Sequence, residues 1–417
     1  MELVNPRCCG MDVHKKTVVA CVLTPGKKEI RTFSTMTGDL LKLKEWLLEN
    51  SVASAAMEST GVLWKPIYNL LEDHLNVAVV NARHIKAVPG RKTDVKDAEW
   101  IADLLRHGLV RASFIPNREQ RELRELVRYR RIIIRQRSDE VNRIQKVLEG
   151  ANIKLSSVAT DIMGVSGRAM LEAMIKGVED PQVLVKLAKG RLRKKSDDLR
   201  QALQGLVGPH QRMLLDIQLT HVTFLDEEID RLDKEIAEQM LPYETDMKNI
   251  DTMTGMARRS TQEVLAETGT DMTRFANHAH FASWAKFCPG NNESAGKRKS
   301  GRTGKGNPWL QSIMVQSAWA ASHTKDTYLS SLYHHIAPRR DKKRAIFAVA
   351  HSMFVSIYYM LRDHSSYREL GKNYFDQVNR KSVIKRSVRR IESLGYTVTL
   401  TPTSRTSELA PEVVFSG

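Results

Sequence analysis

Apolar and polar positions change rhythm three times along the 417 residues. Between residues 8 and 115, short β-branched runs alternate with helix-period segments. TVVACVL (Thr17 to Leu23) and RTFST (Arg31 to Thr35) flank Pro25-Gly26, which predicts a hairpin. Thr37 stands as the N-cap of an amphipathic helix, GDLLKLKEWLLEN. SAAME then predicts a strand, LWKPIYNLLEDH a helix, NVAVV a further strand, and DVKDAEWIADLLRHG a helix closed by Gly108. Strands alternating with helices behind an opening hairpin indicate an α/β sheet of mixed strand direction.

From Arg118 to Glu149 the rhythm becomes that of one long helix. Leu123, Leu126, Ile133, Val141, Ile144 and Leu148 recur at three- and four-residue steps, and Arg130 and Arg137 share their stripe. Two arginines in such a seam are costly unless something anionic lies opposite, which marks them as candidate nucleic-acid contacts. A second charged helical stretch, Val183 to Gln239, completes an antiparallel, coiled-coil-like arm; dimerisation and nucleic-acid binding are both open roles. After Pro242, IDTMTGMARRSTQEVLAETG reads as two short helices around a glycine turn at Gly255, with a helix from Ser260 that Gly269 stops. Such a turn can offer N–H groups to a phosphate. Two further helices follow, and TPTSRTSELAPEVVFSG reads as a mobile tail. The expected division is 1–117, 118–245, 246–400 and a tail, 401–417: α/β, then helical arm, then a mainly helical C-terminal domain.

Charge sharpens this picture. Lys and Arg number 65 against 48 Asp and Glu, a formal +17 with a pI near 9.7. A polyanionic partner follows, since each phosphate neutralised releases counterions. Cys8, Cys9, Cys21 and Cys288 include no C-x-x-C pair, which argues against a zinc site or disulfide framework. The N-terminus lacks a leader's apolar core, and the run Ala345 to Leu361 is interrupted by His351, Ser352 and Ser356, so it reads as a buried helix. A cytoplasmic chain with no membrane span is expected.

Candidate chemistry lies in two places. NNESAGKRKSGRTGKGNPW (residues 291 to 309) carries Lys297, Arg298, Lys299, Arg302 and Lys305 among four glycines, with no acid from 297 to 305. Gly296 to Thr303 is one substitution from a Walker A loop, but Arg302 stands at the lysine position and Pro289-Gly290 precedes it. A basic loop gripping phosphates is the reading that remains, alone or as the frame of a reactive serine. Four carboxylates form the second place. Asp12 lies in or at the end of the first strand, Glu58 ends another, and Asp94 and Asp97 share one helix face. Acids at strand ends plus a helix-borne pair describe a ribonuclease-H-like plan for holding Mg²⁺ at phosphodiester chemistry. Glu99 and Asp103 are expected to face solvent.

GMDVHK, MESTG, KTDVKDA, the Gly255 region with LAETG, and PGNNESAGK occur in one order across nearly the whole chain. That ordered set resembles the DEDD-type insertion-sequence transposases, including the Piv-like DNA invertases. The resemblance implies a RuvC-like domain, a coiled-coil arm and a C-terminal transposase domain. It implies an acidic metal site of Asp12, Glu58, Asp94 and Asp97, and a serine nucleophile matched by Ser294. It also implies a bridge RNA that pairs with donor and target DNA. Glu293-Ser294-Ala295-Gly296 departs from the family's usual Ser-Ser-Gly-Gly by setting an acid beside the serine. Serine and acids lie some 200 residues apart, so they must meet in space, and a dimer or tetramer with composite sites is expected. A metal-dependent junction nuclease without a covalent step is the alternative enzyme, and a basic scaffold without chemistry the alternative class.

Overall fold

The computed structural model describes residues 3–59, 61–81, 97–288, 292–294, 297–300 and 303–401. It divides into two compact units, residues 1–121 and 122–417. Asp94, Arg302, the tail from 402 and the side chains of Ser294, Arg298 and Lys299 lie outside the described residues.

The first unit is built on one five-stranded sheet. Its strands are β1 (Cys8–Val13), β2 (Thr17–Thr24), β3 (Lys27–Ser34), β4 (Ser54–Glu58) and β5 (Asn76–Val80), in the order β3-β2-β1-β4-β5. Neighbours β1/β2 and β2/β3 are antiparallel, whereas β1/β4 and β4/β5 are parallel. This mixed sheet is consistent with the expected ribonuclease-H-like plan. Pro25-Gly26 makes the hairpin turn, and Gly26 has φ +75°, a region glycine enters without strain.

Helices cover both faces of the sheet. Cys9, Met11 and Val13 face a core with Leu43, Trp46 and Leu47 of α1 (Thr37–Glu49) and Ile67 and Leu71 of α2 (Trp64–Leu71). Cys8 on the opposite face packs with Ala98, Ile101 and Ala102 of α3 (Asp97–Arg106). A central strand buried on both faces explains the consecutive apolar residues of β1. Gly10 faces α3 so closely that a methyl there would lie 2.2 Å from Ala102 N and Ala98 O. Thr37 does not cap α1. The N-cap is Met36, and local polar bonding passes to Ser34, whose hydroxyl donates to Asp39 at 2.7 Å.

The second unit is helical. α4 (Arg118–Gly150) enters it and runs antiparallel to α5 (Pro209–Gln239), as the Arg130–Asp233 and Arg137–Asp226 pairs require. The expected continuous helix from Val183 is instead broken. Residues Pro181–Val185 and Ser196–Ala202 form short helices, and α5 starts afresh at Pro209 after Gly208. Proline suits the first helical turn, where its missing N–H has no intrahelical partner to lose. These short pieces and Val165–Ile175 close a small core of their own against Ile144, Leu148, Leu215 and Val222.

A larger core follows, built from α6 (Glu244–Asp251), α7 (Arg258–Thr268), α8 (His278–Trp284), α9 (Pro308–His323), α10 (Tyr328–Ile336) and α11 (Lys342–Asp363). α11 is the described helix long and apolar enough for a bilayer by composition; its Val349, Met353, Phe354 and Ile357 are fully buried in this core. The turn between α6 and α7 has Gly255 at φ +87°. A methyl there would stand 2.4 Å from Ser317 O of α9. Gly255 is therefore a packing contact, not an open phosphate cradle. Two helices end the described chain, α12 (Tyr374–Val378) and α13 (Arg380–Glu392).

Candidate acidic site and basic hairpin

Three of the four acids come to one end of the sheet in the first unit. β1 and β4 run parallel with Met11 beside Met57, so the next residues, Asp12 and Glu58, are neighbours on one face. That face is α3's, because Gly10 and Ala56, two positions earlier, pack against it. α3 runs opposite to β1. Asn5 Nδ2 donates to Leu105 O at 2.8 Å, Cys8 lies at Ala102, and Gly10 lies between Ala98 and Ala102. The amino end of α3, with Asp97 in its first turn, therefore stands at the carboxyl end of β1, where Asp12 lies.

Asp12 is largely buried, and its Oδ2 lies 3.1 Å from Nε2 of His14. His14, part of the GMDVHK motif, has no role in the sequence reading; its spacing of two residues from Asp12 at a strand end was the available signal. Glu99 is not free on the helix face, because it accepts from Lys28 Nζ at 2.8 Å. Every acid at this end offers hard oxygen donors, the chemistry that Mg²⁺ and its relatives take. Among the described residues, no three His, Cys, Asp or Glu are gathered closely enough to hold an ion. A cleft of about 530 Å³ in this unit lies between the hairpin turn and α3, lined by Lys27, Lys28, Glu99, Asp103 and Arg106 but by none of the four acids.

Cysteines in the same sheet are inert by environment. Burial pushes the Cys8 and Cys21 thiols up to about 11, and raises Cys9 as well. All four cysteines are free thiols.

In the second unit the glycine-rich stretch is a hairpin. β6 (Asn292–Ser294) pairs antiparallel with β7 (Lys297–Ser300), setting Ser294 opposite Lys297 and Glu293 opposite Arg298. A strand returning on itself is not the strand–loop–helix of a nucleotide cradle, so the Walker A reading falls on geometry. Lys297 and Lys305 are exposed.

The exit of this hairpin is tied to the long helix. Asn307 caps α9 by accepting from Trp309 N at 3.0 Å, and its amide donates to Oε2 of Glu267. Glu267, 3% exposed, also receives Arg128 in a two-pronged contact at 2.7 and 2.9 Å and lies 3.3 Å from Arg124 Nε. Arg131 bonds Glu263 at 2.8 Å and the Ser312 hydroxyl at 2.6 Å. Burial raises the Glu263 carboxyl above its usual range, against the pull of Arg131 and Arg130. LAETG gives Glu267 as a motif residue, but its arginine partners lie some 140 positions away and carry no local signal.

Arg130 does not reach outward, and Arg137, though partly exposed, is paired within the chain. Arg130 is 0% exposed and donates through Nη1 to Asp233 at 2.8 Å and Gln262 at 2.7 Å. Arg137 pairs with Asp226, which Arg168 also contacts at 2.9 Å. The anion expected opposite each arginine is met, in this structure, by a side chain of the same chain.

Comparison with protein families gives two matches. Residues 9–153 match the model described as a transposase of the DEDD, IS110 kind, and residues 247–334 match the transposase IS116/IS110/IS902 family. Together they span the acid-bearing sheet with the whole of α4, and the hairpin with the helices around it. No curated protein matches the chain.

Proposed function

The chain belongs to the DEDD-type insertion-sequence transposases, enzymes acting on DNA, and from that premise we propose a recombinase in which Ser294 is the nucleophile. In this reading Ser294 Oγ attacks a DNA phosphorus as its proton passes to a base. The Ser294 O–P bond forms, the bond from phosphorus to the 3′ oxygen breaks, and that oxygen leaves as a 3′-OH. The 3′-OH of the exchanged strand then attacks the phosphoserine and regenerates the serine, so the number of phosphodiester bonds is conserved. Lys297, Arg298, Lys299, Arg302 and Lys305 neutralise charge on the phosphate as it grows in the transition state.

Asp12, Glu58, Asp94 and Asp97 would hold Mg²⁺, which when bound supplies further neutralisation at phosphate oxygens. Target choice is delegated to a bridge RNA. The protein works as a dimer or tetramer with the α4/α5 pair as a coiled-coil arm. The observation that carries this reading is the register of the hairpin, which sets Ser294 across from Lys297 at the head of a cationic strand.

A nicked DNA carrying an element end is the test. Wild-type protein should be recovered covalently joined to DNA, and Ser294→Ala should not, while still binding it. The junction-nuclease alternative, favoured by the acids' common face on the sheet, predicts cleavage without any adduct. Sequencing RNA that copurifies with the protein tests the guide; recovery of no element-encoded RNA would remove it.

A further inference from the structure

The sequence places phosphate contacts on the hairpin and on α4, yet among the described residues a large group of cations without counter-ions lies elsewhere in the second unit. α13 carries Arg380, Lys381, Lys385, Arg386, Arg389 and Arg390, with Glu392 its sole acid and no buried residue. A second run, Arg339, Arg340, Lys342, Lys343 and Arg344, joins α10 to the start of α11 around Asp341, all exposed. Among the described residues none of these cations forms an ion pair. Most arginines of α4 behave in the opposite way: Arg121, Arg124, Arg128, Arg130, Arg131 and Arg137 each meet an acid of the chain.

The fold brings both runs to one place. A cleft of about 240 Å³ is lined by His335 and Arg339 on one side and Asn379, Ser382 and Arg386 on the other, with Asp376 as its acid. On a helix, Arg390 lies one turn beyond Arg386 on the same face, and Lys385 and Arg389 adjoin it. Thirteen residues give α13 a length of about 20 Å. Duplex DNA presents about one negative charge per 1.7 Å of its axis, so that length faces on the order of ten phosphate charges.

Aromatic rings at the cleft do not offer a stacking platform. Phe375 is already stacked on His335, centroids 4.7 Å apart, and on Tyr328 at 5.6 Å. Single-stranded nucleic acid is held by free aromatic faces beside cations; a surface of unpaired cations with its rings occupied fits a duplex backbone.

We propose that α13 and the Arg339–Arg344 run form a second DNA-binding surface, gripping the phosphates of duplex DNA outside the hairpin. It rests on the chain acting on DNA, and neither on Ser294 chemistry nor on a guide RNA.

The test measures binding rather than strand exchange, so a failure of the serine mechanism leaves it interpretable. Full-length protein is titrated with a labelled duplex of about 30 base pairs across a range of KCl. Arg339→Ala, Arg386→Ala and Arg390→Ala together should lessen the slope of log Kd on log salt by roughly 0.9 for each phosphate no longer neutralised. Affinity should fall about tenfold or more. The triple lysine variant at the same positions should keep the wild-type slope. An unchanged slope in the alanine variant overturns the proposal, as does an equal loss in the lysine variant. A change confined to single-stranded RNA of the same length would assign the surface to RNA and overturn it too.

Discussion

At the scale of single residues, side-chain volume and charge decide most outcomes. Gly10 is the sharpest case, since any Cβ there meets backbone and not a yielding side chain. Gly10→Ala should destabilise the first unit by roughly 1–3 kcal/mol, the usual range for overpacking, read as a lower denaturation midpoint. Asp97→Asn should lose metal-dependent cleavage while the fold is retained; activity that stays normal in Mg²⁺ would remove Asp97 from the site. Arg130→Ala leaves Asp233 with its partner Arg259 but strips Gln262 of its donor and opens a cavity in the buried space the guanidinium fills. A loss of about 3–5 kcal/mol is expected, as for other broken buried pairs. Its DNA-binding salt slope should equal that of the wild type, because Arg130 is fully buried and paired with Asp233.

Elements were legible where their signal is local. β1 to β5, the hairpin at Pro25-Gly26 and the helix stops at Gly108 and Gly269 all follow from patterns confined to short windows of sequence. Illegible were features set by distant partners. Arg130 and Arg137 sit in an apolar stripe that sequence alone cannot distinguish from a polyanion groove, since their carboxylates lie 103 and 89 residues away. The acids' common face follows from strand alternation, but the placement of α3 against Gly10 depends on tertiary contact. At this scale the first turn of α4 is pinned to α2. Arg121 holds Glu72 below the usual carboxylate range against the effect of burial, and Arg118 adds to it. A depressed carboxyl stabilises above its unfolded pKa and loses that contribution as pH falls through the folded value. Acidification below about pH 4.5 should therefore destabilise the wild type more steeply than Glu72→Gln in that window. Parallel pH profiles would reject the coupling.

For the molecule as a whole, a formal +17 overstates what is available to DNA. Most arginines along α4 are matched by acids within the chain, while the cations of α13 and the Arg339–Arg344 run form no ion pair among the described residues. Two compact units, each with a core of its own, should also give separable calorimetric transitions. Gly10→Ala should lower one and Arg130→Ala the other; a single endotherm displaced by both substitutions would refute that separation.

Glu267 gives this arrangement a less obvious vulnerability. One carboxylate answers the guanidinium of Arg128 and at the same time steadies Asn307, which begins the helix just after the basic hairpin. A change at position 267 lies outside both the acids and the hairpin, and yet it would loosen the segment that follows the basic hairpin. Such a variant, found in a blind screen for lost recombination, would look like a dead active site while every group needed for the chemistry was still present.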